Sequence, residues 1–427
     1  MKRLAIALVI LFGLLAGAGL FFFLPAGLEP VRASAAQPSG PALVEKGRYL
    51  ATAGDCVACH TVPGGKPFAG GLAFKLPFGT LYSSNITPDP KAGIGAWSNA
   101  QFVRAMRHGV RGDGQDLYPA FPYTAYAKMS TDDILAVRAY LASLAPVADA
   151  PPANQLAFPF NQRAIMRAWK LLFLDDAQMA PQTAQSPEWN RGAYLVEALG
   201  HCGECHTPRN VAYGLSGKAF AGATTQGWKA YNITSDPKSG IGGWSVDQLA
   251  TYLGTGHVAG RGVASGSMAE VVSLSLSHLT PPDLRAMAVY LKSVPPRPSQ
   301  DGEDIDANPR SLATATLAAP APGSAGPHDG LGLRIFESAC AGCHAWNGEG
   351  MPSPDAALRG ARGVNDPQAA NMIQVILHGS PGRMPAFGRA YTDAEIAAVS
   401  RYALHHFGGK PGHVTPSQVA EARTLGH

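Results

Sequence analysis

One pentapeptide recurs three times and uses every cysteine of the chain: Cys56-Val57-Ala58-Cys59-His60, Cys202-Gly203-Glu204-Cys205-His206 and Cys340-Ala341-Gly342-Cys343-His344. Two thiols three residues apart, followed at once by an imidazole, form the attachment pattern of a c-type haem. Each thiol can form a thioether to one porphyrin vinyl group, and the adjacent His then supplies the proximal ligand of the iron. The cofactor-binding candidates are therefore Cys56, Cys59, Cys202, Cys205, Cys340 and Cys343, with His60, His206 and His344 as axial ligands. Other chemistries suit the spacing poorly. A zinc ribbon needs two pairs roughly 15–20 residues apart, whereas these pairs begin at 56, 202 and 340. A thioredoxin-like motif belongs to a βαβ unit and has no use for the following His. Three covalently bound haem c groups are the expectation.

A chain of 427 residues has room for about three domains. Its charge is low, at 15% Asp, Glu, Lys and Arg, while 49 Gly and 35 Pro suit loops wrapped around a cofactor. A net charge of +4 with no Lys/Arg run gives no case for a nucleic-acid partner. The N-terminus reads Met1-Lys2-Arg3 and then an apolar run from Leu4 to Leu24. Such a segment directs export, and it is long enough to span a bilayer. Ala33-Ser34-Ala35 offers a cleavage site, so residues 1–25 are either a cleaved signal or a membrane anchor with Lys2 and Arg3 on the cytoplasmic side. In both cases the haem domains lie outside the cytoplasm.

The expected domains are 43–147, 188–295 and 327–410. The first two are a repeat: Asn85-Ile86-Thr87 returns at Asn232-Ile233-Thr234, and Gly93-Ile94-Gly95-Ala96-Trp97 at Gly240-Ile241-Gly242-Gly243-Trp244. The offset is constant, 232 − 85 = 147 and 244 − 97 = 147. Each domain closes with one kind of helix. Ser130, Thr280 and Thr392 stand at its N-cap with an acid three residues on, and Tyr140, Tyr290 and Tyr402 follow ten residues after the cap. Their common partner is the opening helix of each domain, where Gly47, Gly192 or Gly332 permits a close crossing. This order of opening helix, haem, loops and closing helix resembles the class I cytochrome c fold, so the fold class is mainly α, with three tandem domains after the N-terminal helix.

Between the first two domains, 148–187 carries a segment, Asn161 to Leu174, with Arg163, Arg167 and Lys170 on one side. Two readings stand: a helix packed between domains, or a contact with a partner subunit or membrane surface. Residues 296–326 look like a flexible linker, which implies a third domain mobile relative to the others.

The sixth ligand decides the chemistry, since a Met thioether raises the reduction potential. Met384 lies 40 residues after His344, and Met268 lies 62 after His206; both are expected to be axial ligands. The repeat offset carries Met268 onto position 268 − 147 = 121, which is Phe121. Phenylalanine cannot ligate iron. Met129 is near but stands at the hydrophobic-staple position before the Ser130 cap; Met106, His108 and a five-coordinate iron are the other possibilities. Asn85, Trp97, Asn232 and Trp244 are either donors to haem propionates or residues that hold the loops.

With these features assembled, the chain resembles the triple-haem cytochrome c subunit of bacterial membrane-bound alcohol, aldehyde and gluconate dehydrogenases. The resemblance runs from about Leu43 to Phe407. It rests on the three haem motifs, the repeated Asn-Ile-Thr and Gly-Ile-Gly-x-Trp blocks, Gly192-Ala193-Tyr194-Leu195 with Gly203 to Arg209, and Met268-Ala269-Glu270-Val271-Val272. It implies a periplasmic electron-transfer subunit docked to a catalytic subunit that uses pyrroloquinoline quinone, flavin or molybdopterin, with ubiquinone or a terminal oxidase as acceptor. The stretch Tyr118-Pro119-Ala120-Phe121-Pro122-Tyr123 departs from the Met-containing form of the quinoprotein alcohol dehydrogenase subunits. It is similar to versions accompanying molybdenum-containing aldehyde or heteroaromatic dehydrogenases. A rival from another class is a haem enzyme, of peroxidase or thiosulfate-oxidising type, with the first haem as reaction centre. No nucleophile with a base, phosphate loop or second metal cluster supports a further active site.

Overall fold

Three glycines set the architecture. In the computed structural model, which describes residues 27–225, 227–299, 330–351, 353–380, 382–408 and 412–425 with scattered positions before 27, each closing helix crosses an opening helix at one of them. Helix Pro41–Ala53 packs on Thr131–Ala142, Pro187–Tyr194 on Pro281–Ser293, and Gly330–Ile335 on Asp393–Gly408. A Cβ added at Gly47 or Gly192 would lie 1.9 Å from the carbonyl oxygen of Ala136 or Ala286, and one at Gly332 would lie 2.3 Å from that of Ala398. The Cβ atoms of Tyr140, Tyr290 and Tyr402 sit over the same glycines, within 2.9 Å of that added atom. The expected common partner of the three tyrosine-bearing helices is thus the opening helix.

The caps divide by domain. Thr392 makes a full reciprocal box: its Oγ1 accepts from Glu395 N at 3.3 Å, and Thr392 N donates to Glu395 Oε2 at 2.8 Å. Ser130 and Thr280 accept from the N–H of Asp133 and Asp283 at 3.1 and 3.4 Å. There the acid turns across to the opening helix, Asp133 to Lys46 at 2.8 Å and Asp283 to Arg191 at 2.7 Å. Each base directly precedes the crossing glycine, so the ion pair pins the helices where their backbones touch. Leu331 occupies that place in the third pair, and there the acid returns to its own cap.

The chain forms two compact units, Met1–Pro181 with Glu197–His201, and Gln182–Val196 with Cys202–His427. The first holds one helix pair, helix Asn99–His108, and a small antiparallel sheet in which Ala73–Leu76 pairs with Gly79–Tyr82, which in turn pairs with Gln155–Leu156. Helix Ile165–Phe173 lies on this unit with its basic side inward. Arg167 Nε is 3.0 Å from Asp116 Oδ2, Lys170 reaches the other carboxylate oxygen, and Arg163 donates to the Asp116 carbonyl at 2.9 Å. Leu171 and Leu172 face outward, 70% and 75% exposed.

The second unit holds both remaining helix pairs. The part expected to be a mobile third domain packs here against the second helix pair. Asn371 brackets Lys229 with two hydrogen bonds, 2.8 and 2.9 Å, and Lys229 Nζ lies 3.2 Å from the wholly buried carboxylate of Asp366. A buried ion pair and paired backbone groups thus join the two parts. The C-terminal part also continues beyond 410: helix Pro416–Leu425 buries Val419 and Ala422 in the same core as Ile396 and Leu404. Most of Leu4–Leu24 and of the linker 296–326 lies outside the described residues. Among the described residues, no helix is long and apolar enough to cross a membrane.

Candidate functional site

Each Cys-x-x-Cys-His run forms, wholly or in part, a single helical turn: Cys56–Cys59, Gly203–His206 and Ala341–His344. Residues three apart on a turn share a face, so both thiols of a pair address one partner. The first cysteine of each pair is half-buried and the second exposed, and none is in a disulfide. Burial pushes the Cys56 thiol up to about 12 and the Cys340 thiol to about 11. The approach to the turns is irregular. Asp55 and His201, just before Cys56 and Cys202, have φ of 49° and 37°, and π turns Leu195–Leu199 and Phe336–Cys340 precede the second and third motifs.

The three histidines share one geometry. His60 Nδ1 lies 2.6 Å from Ser84 O, His206 Nδ1 2.6 Å from Tyr231 O, and His344 Nδ1 2.6 Å from Ala356 O. A carbonyl only accepts, so Nδ1 carries the proton and Nε2 keeps its lone pair for a metal. Burial moves the proton affinity of all three imidazoles down, which favours the same neutral form.

The repeated Asn-Ile-Thr block explains how the carbonyl is held. Asn85 Oδ1 accepts from Thr87 N at 2.9 Å and Thr87 Oγ1 at 2.7 Å, and its amide donates to Val147 O at 2.7 Å. Asn232 repeats this with Thr234 at 2.8 and 2.7 Å and donates to Arg297 O at 2.6 Å. Each Asn immediately follows the residue whose carbonyl holds the His. Their side chains serve the loop, which decides between the two readings of these positions. Further pins repeat as well: Gly70 N and Gly222 N donate to the carbonyls of His60 and His206 at 2.7 and 2.8 Å. The third site lacks the block and uses the short turn Pro354–Ala356 instead.

The tryptophans differ. Trp97 lies against Gly112, where an added Cβ would come within 2.6 Å of the indole nitrogen. Trp244 is 4% exposed, and its Nε1 is buried without a hydrogen-bond partner. An orphan buried donor suits an anionic ligand group such as a propionate.

The methionines fall in different settings. Met268 is partly buried at the third position of helix Gly266–Leu274. Gly266, φ 52°, packs on the ring of Trp228, and Trp228–Ala230 leads straight into Tyr231, so one strand joins the Met268 turn to the His206 anchor. Met384 lines an open cleft of about 440 Å³ with His378, Ser380, Arg383 and Pro385. In the first unit Phe121 is half-buried and tilted against Tyr126 at 5.4 Å. Met129 is 1% exposed and Met106 7%. His108 is paired with Asp176 at 3.1 Å.

Paired thiols on one turn, an imidazole with Nε2 presented, and an orphan donor in the second pocket fit a covalently held haem. Donor chemistry of this kind, following the opening helix of a crossed helix pair, is that of a cytochrome c. Residues 44–145 match the family model of cytochrome c, and 330–402 match that of cytochrome c oxidase, cbb3-type, subunit III. The chain is 38% identical to the fructose dehydrogenase cytochrome subunit of Gluconobacter japonicus, over 93% of this chain and 85% of that protein. It is also 38% identical to the gluconate 2-dehydrogenase cytochrome c subunit of Pantoea cypripedii, over 90% of each. A nicotinate dehydrogenase subunit of Pseudomonas putida is 43% identical over 90% of this chain, but the chain spans about a third (32%) of that protein's length. The chain belongs to the family of dehydrogenase cytochrome c subunits, whose work is electron transfer through covalently bound haem.

Arg362 and the three carbonyls of Ser84, Tyr231 and Ala356 were not legible in the sequence. A carbonyl has no residue code, and Arg362 lies 130 positions from Asn232, to whose carbonyl it donates. The repeated Asn was the one pointer to the first two carbonyls.

Proposed function

We propose that this chain carries three c-type haems in three tandem cytochrome c domains and relays electrons from a catalytic dehydrogenase subunit to a membrane acceptor. The observation that carries this reading is the Nδ1-to-carbonyl bond, repeated at 2.6 Å in all three motifs. Cys56, Cys59, Cys202, Cys205, Cys340 and Cys343 hold the groups by thioethers; His60, His206 and His344 are proximal ligands; Met268 and Met384 are the sixth ligands of the second and third irons. The haem iron supplies a one-electron ferrous–ferric couple. The chain's own residues fix the imidazole tautomer, exclude water with the helix pairs, and set charge around each site. Rigid anchoring of the imidazole limits the rearrangement that accompanies a change of charge, which is what a relay requires.

The partner is a catalytic dehydrogenase subunit of pyrroloquinoline quinone, flavin or molybdopterin type. The molybdopterin type is favoured by the Phe121 variant. Ubiquinone or a terminal oxidase accepts the electrons at the periplasmic face of the inner membrane, with residues 1–25 as anchor. Purification of the tagged chain from its native membranes tests this. A large dehydrogenase subunit should co-purify, and its substrate should reduce the haems of the complex. A chain isolated alone under mild detergent, with no substrate able to reduce its haems in the parent membranes, would contradict the assignment.

A further inference from the structure

Arg362 opens the one-turn helix Arg362–Asn365 of the C-terminal part, yet its side chain is spent on the preceding part of the same unit. It is 8% exposed and donates to the carbonyls of Asn232 at 3.4 Å, Ser239 at 3.1 Å, and Gly240. Its guanidinium carbon lies 5.3 Å from the ring centre of Tyr231 and 5.8 Å from that of Trp244, within cation–π range of both. These are not arbitrary neighbours. The carbonyl of Tyr231 holds His206 Nδ1, and Trp244 carries the orphan buried N–H. Arg261 adds a second guanidinium over Trp244 at 5.5 Å.

A buried cation and an unpartnered donor therefore meet beside the anchor of His206. A guanidinium offers five donors in a planar fork and suits a carboxylate. In a low-dielectric setting, a fixed positive charge favours whichever redox state carries less positive charge. We propose that Arg362, supplied by the C-terminal part, is a positioning residue of the second site that completes the pocket on the His206 side and raises the reduction potential of the haem held at Cys202 and Cys205. The inference rests on the haem reading of that site. It makes the second site dependent on the part that follows it, which accounts for a buried interface between the two.

The test uses the full chain as wild type, Arg362→Gln and Arg362→Lys. Haem content is read by intact mass and potentials by a spectroelectrochemical titration. The variant with both Cys202 and Cys205 changed to Ala identifies the second haem as the missing wave. Arg362→Gln is expected to keep its haems and to lower the reduced-to-oxidised ratio of that one wave about tenfold at a fixed solution potential, which is about 59 mV for a one-electron couple. Arg362→Lys, with charge but no fork, should hold the wave near its original place. A Gln variant that matures fully with its wave unmoved overturns the proposal. So does a Lys variant displaced as far as Gln, because the effect would then be packing. If Gln fails to mature, the Lys variant decides against the tenfold expectation itself: a wave near its original place supports the proposal, and one displaced by the full tenfold overturns it. Failure of the haem reading shows differently: no wave would vanish in the Cys202/Cys205 variant.

Discussion

Replacing Phe121 with Met is expected to give the first site a sulfur-ligated iron and to raise the potential of that site alone. In the second unit, Met268 lies one strand away from the residue that anchors His206. The position 147 residues earlier is Phe121. Its ring packs on Tyr126, whose hydroxyl donates to Gly54 O at 3.1 Å, two residues before Cys56. Phe121 is therefore tied to the attachment loop of the first motif but brings no donor atom. The nearest alternative, Met129, is 1% exposed at the place that Leu279, 6% exposed, holds in the second helix pair. A thioether serving as a hydrophobic staple is committed to the core. Wild type should then show two irons with the near-infrared sulfur-to-iron charge-transfer band, and a first iron that is His-ligated at low potential or open to carbon monoxide or cyanide. Phe121→Met should show three. Axial ligation spans about 0.8 V across haem proteins, so the shift should be a sizeable part of that range. Magnetic circular dichroism during a redox titration reads both quantities. Three sulfur bands in wild type would overturn the assignment, and their reduction to two in Met129→Leu would transfer the role to Met129.

The second large effect is at the crossing glycines. In a free helix, Gly192→Ala would gain about 1 kcal/mol of helix propensity. At this crossing the new Cβ would lie 1.9 Å from the carbonyl of Ala286, which is backbone and cannot swing aside. Overpacking a tight contact costs about 1–3 kcal/mol, and more where a backbone must move, so the clash wins. Gly192→Ala should lower the thermal midpoint of the second unit and the yield of its haem; Gly47→Ala should do the same in the first unit. Gly217→Ala, with nothing within 4 Å and an ordinary φ, is the control and should behave as wild type. Calorimetry with a haem stain of the matured protein makes the comparison. An unchanged midpoint for Gly192→Ala would mean that the helices do not cross so closely.

The sequence displayed what repeats and what bears side-chain chemistry. Six cysteines in three motifs, the 147-residue offset and the Gly/Tyr spacing of opening and closing helices were visible because each is a residue identity at a fixed distance. What it hid is backbone and long-range. The residue codes of Asn85 and Asn232 left propionate binding and loop holding equally open, whereas their amides are spent on Thr87, Val147, Thr234 and Arg297. The basic stripe Arg163, Arg167 and Lys170 suits either a packed helix or an exposed contact by periodicity, and it is one buried carboxylate, Asp116, that draws it inward. No local pattern announces such a partner about fifty residues away. The Pro-rich stretch before 327 suggests a linker, and no local pattern announces the contacts of Arg362, Asp366 and Asn371 made across that gap in sequence.

The most direct test of the central claim is the intact mass of the matured, full-length protein, paired with the variant in which Cys202 and Cys205 are both Ala. Three haem additions in wild type and two in the variant, all surviving denaturing electrophoresis with a haem stain, are the expected result. A fully matured wild type carrying fewer than three, or a variant that loses none, would contradict a three-haem relay.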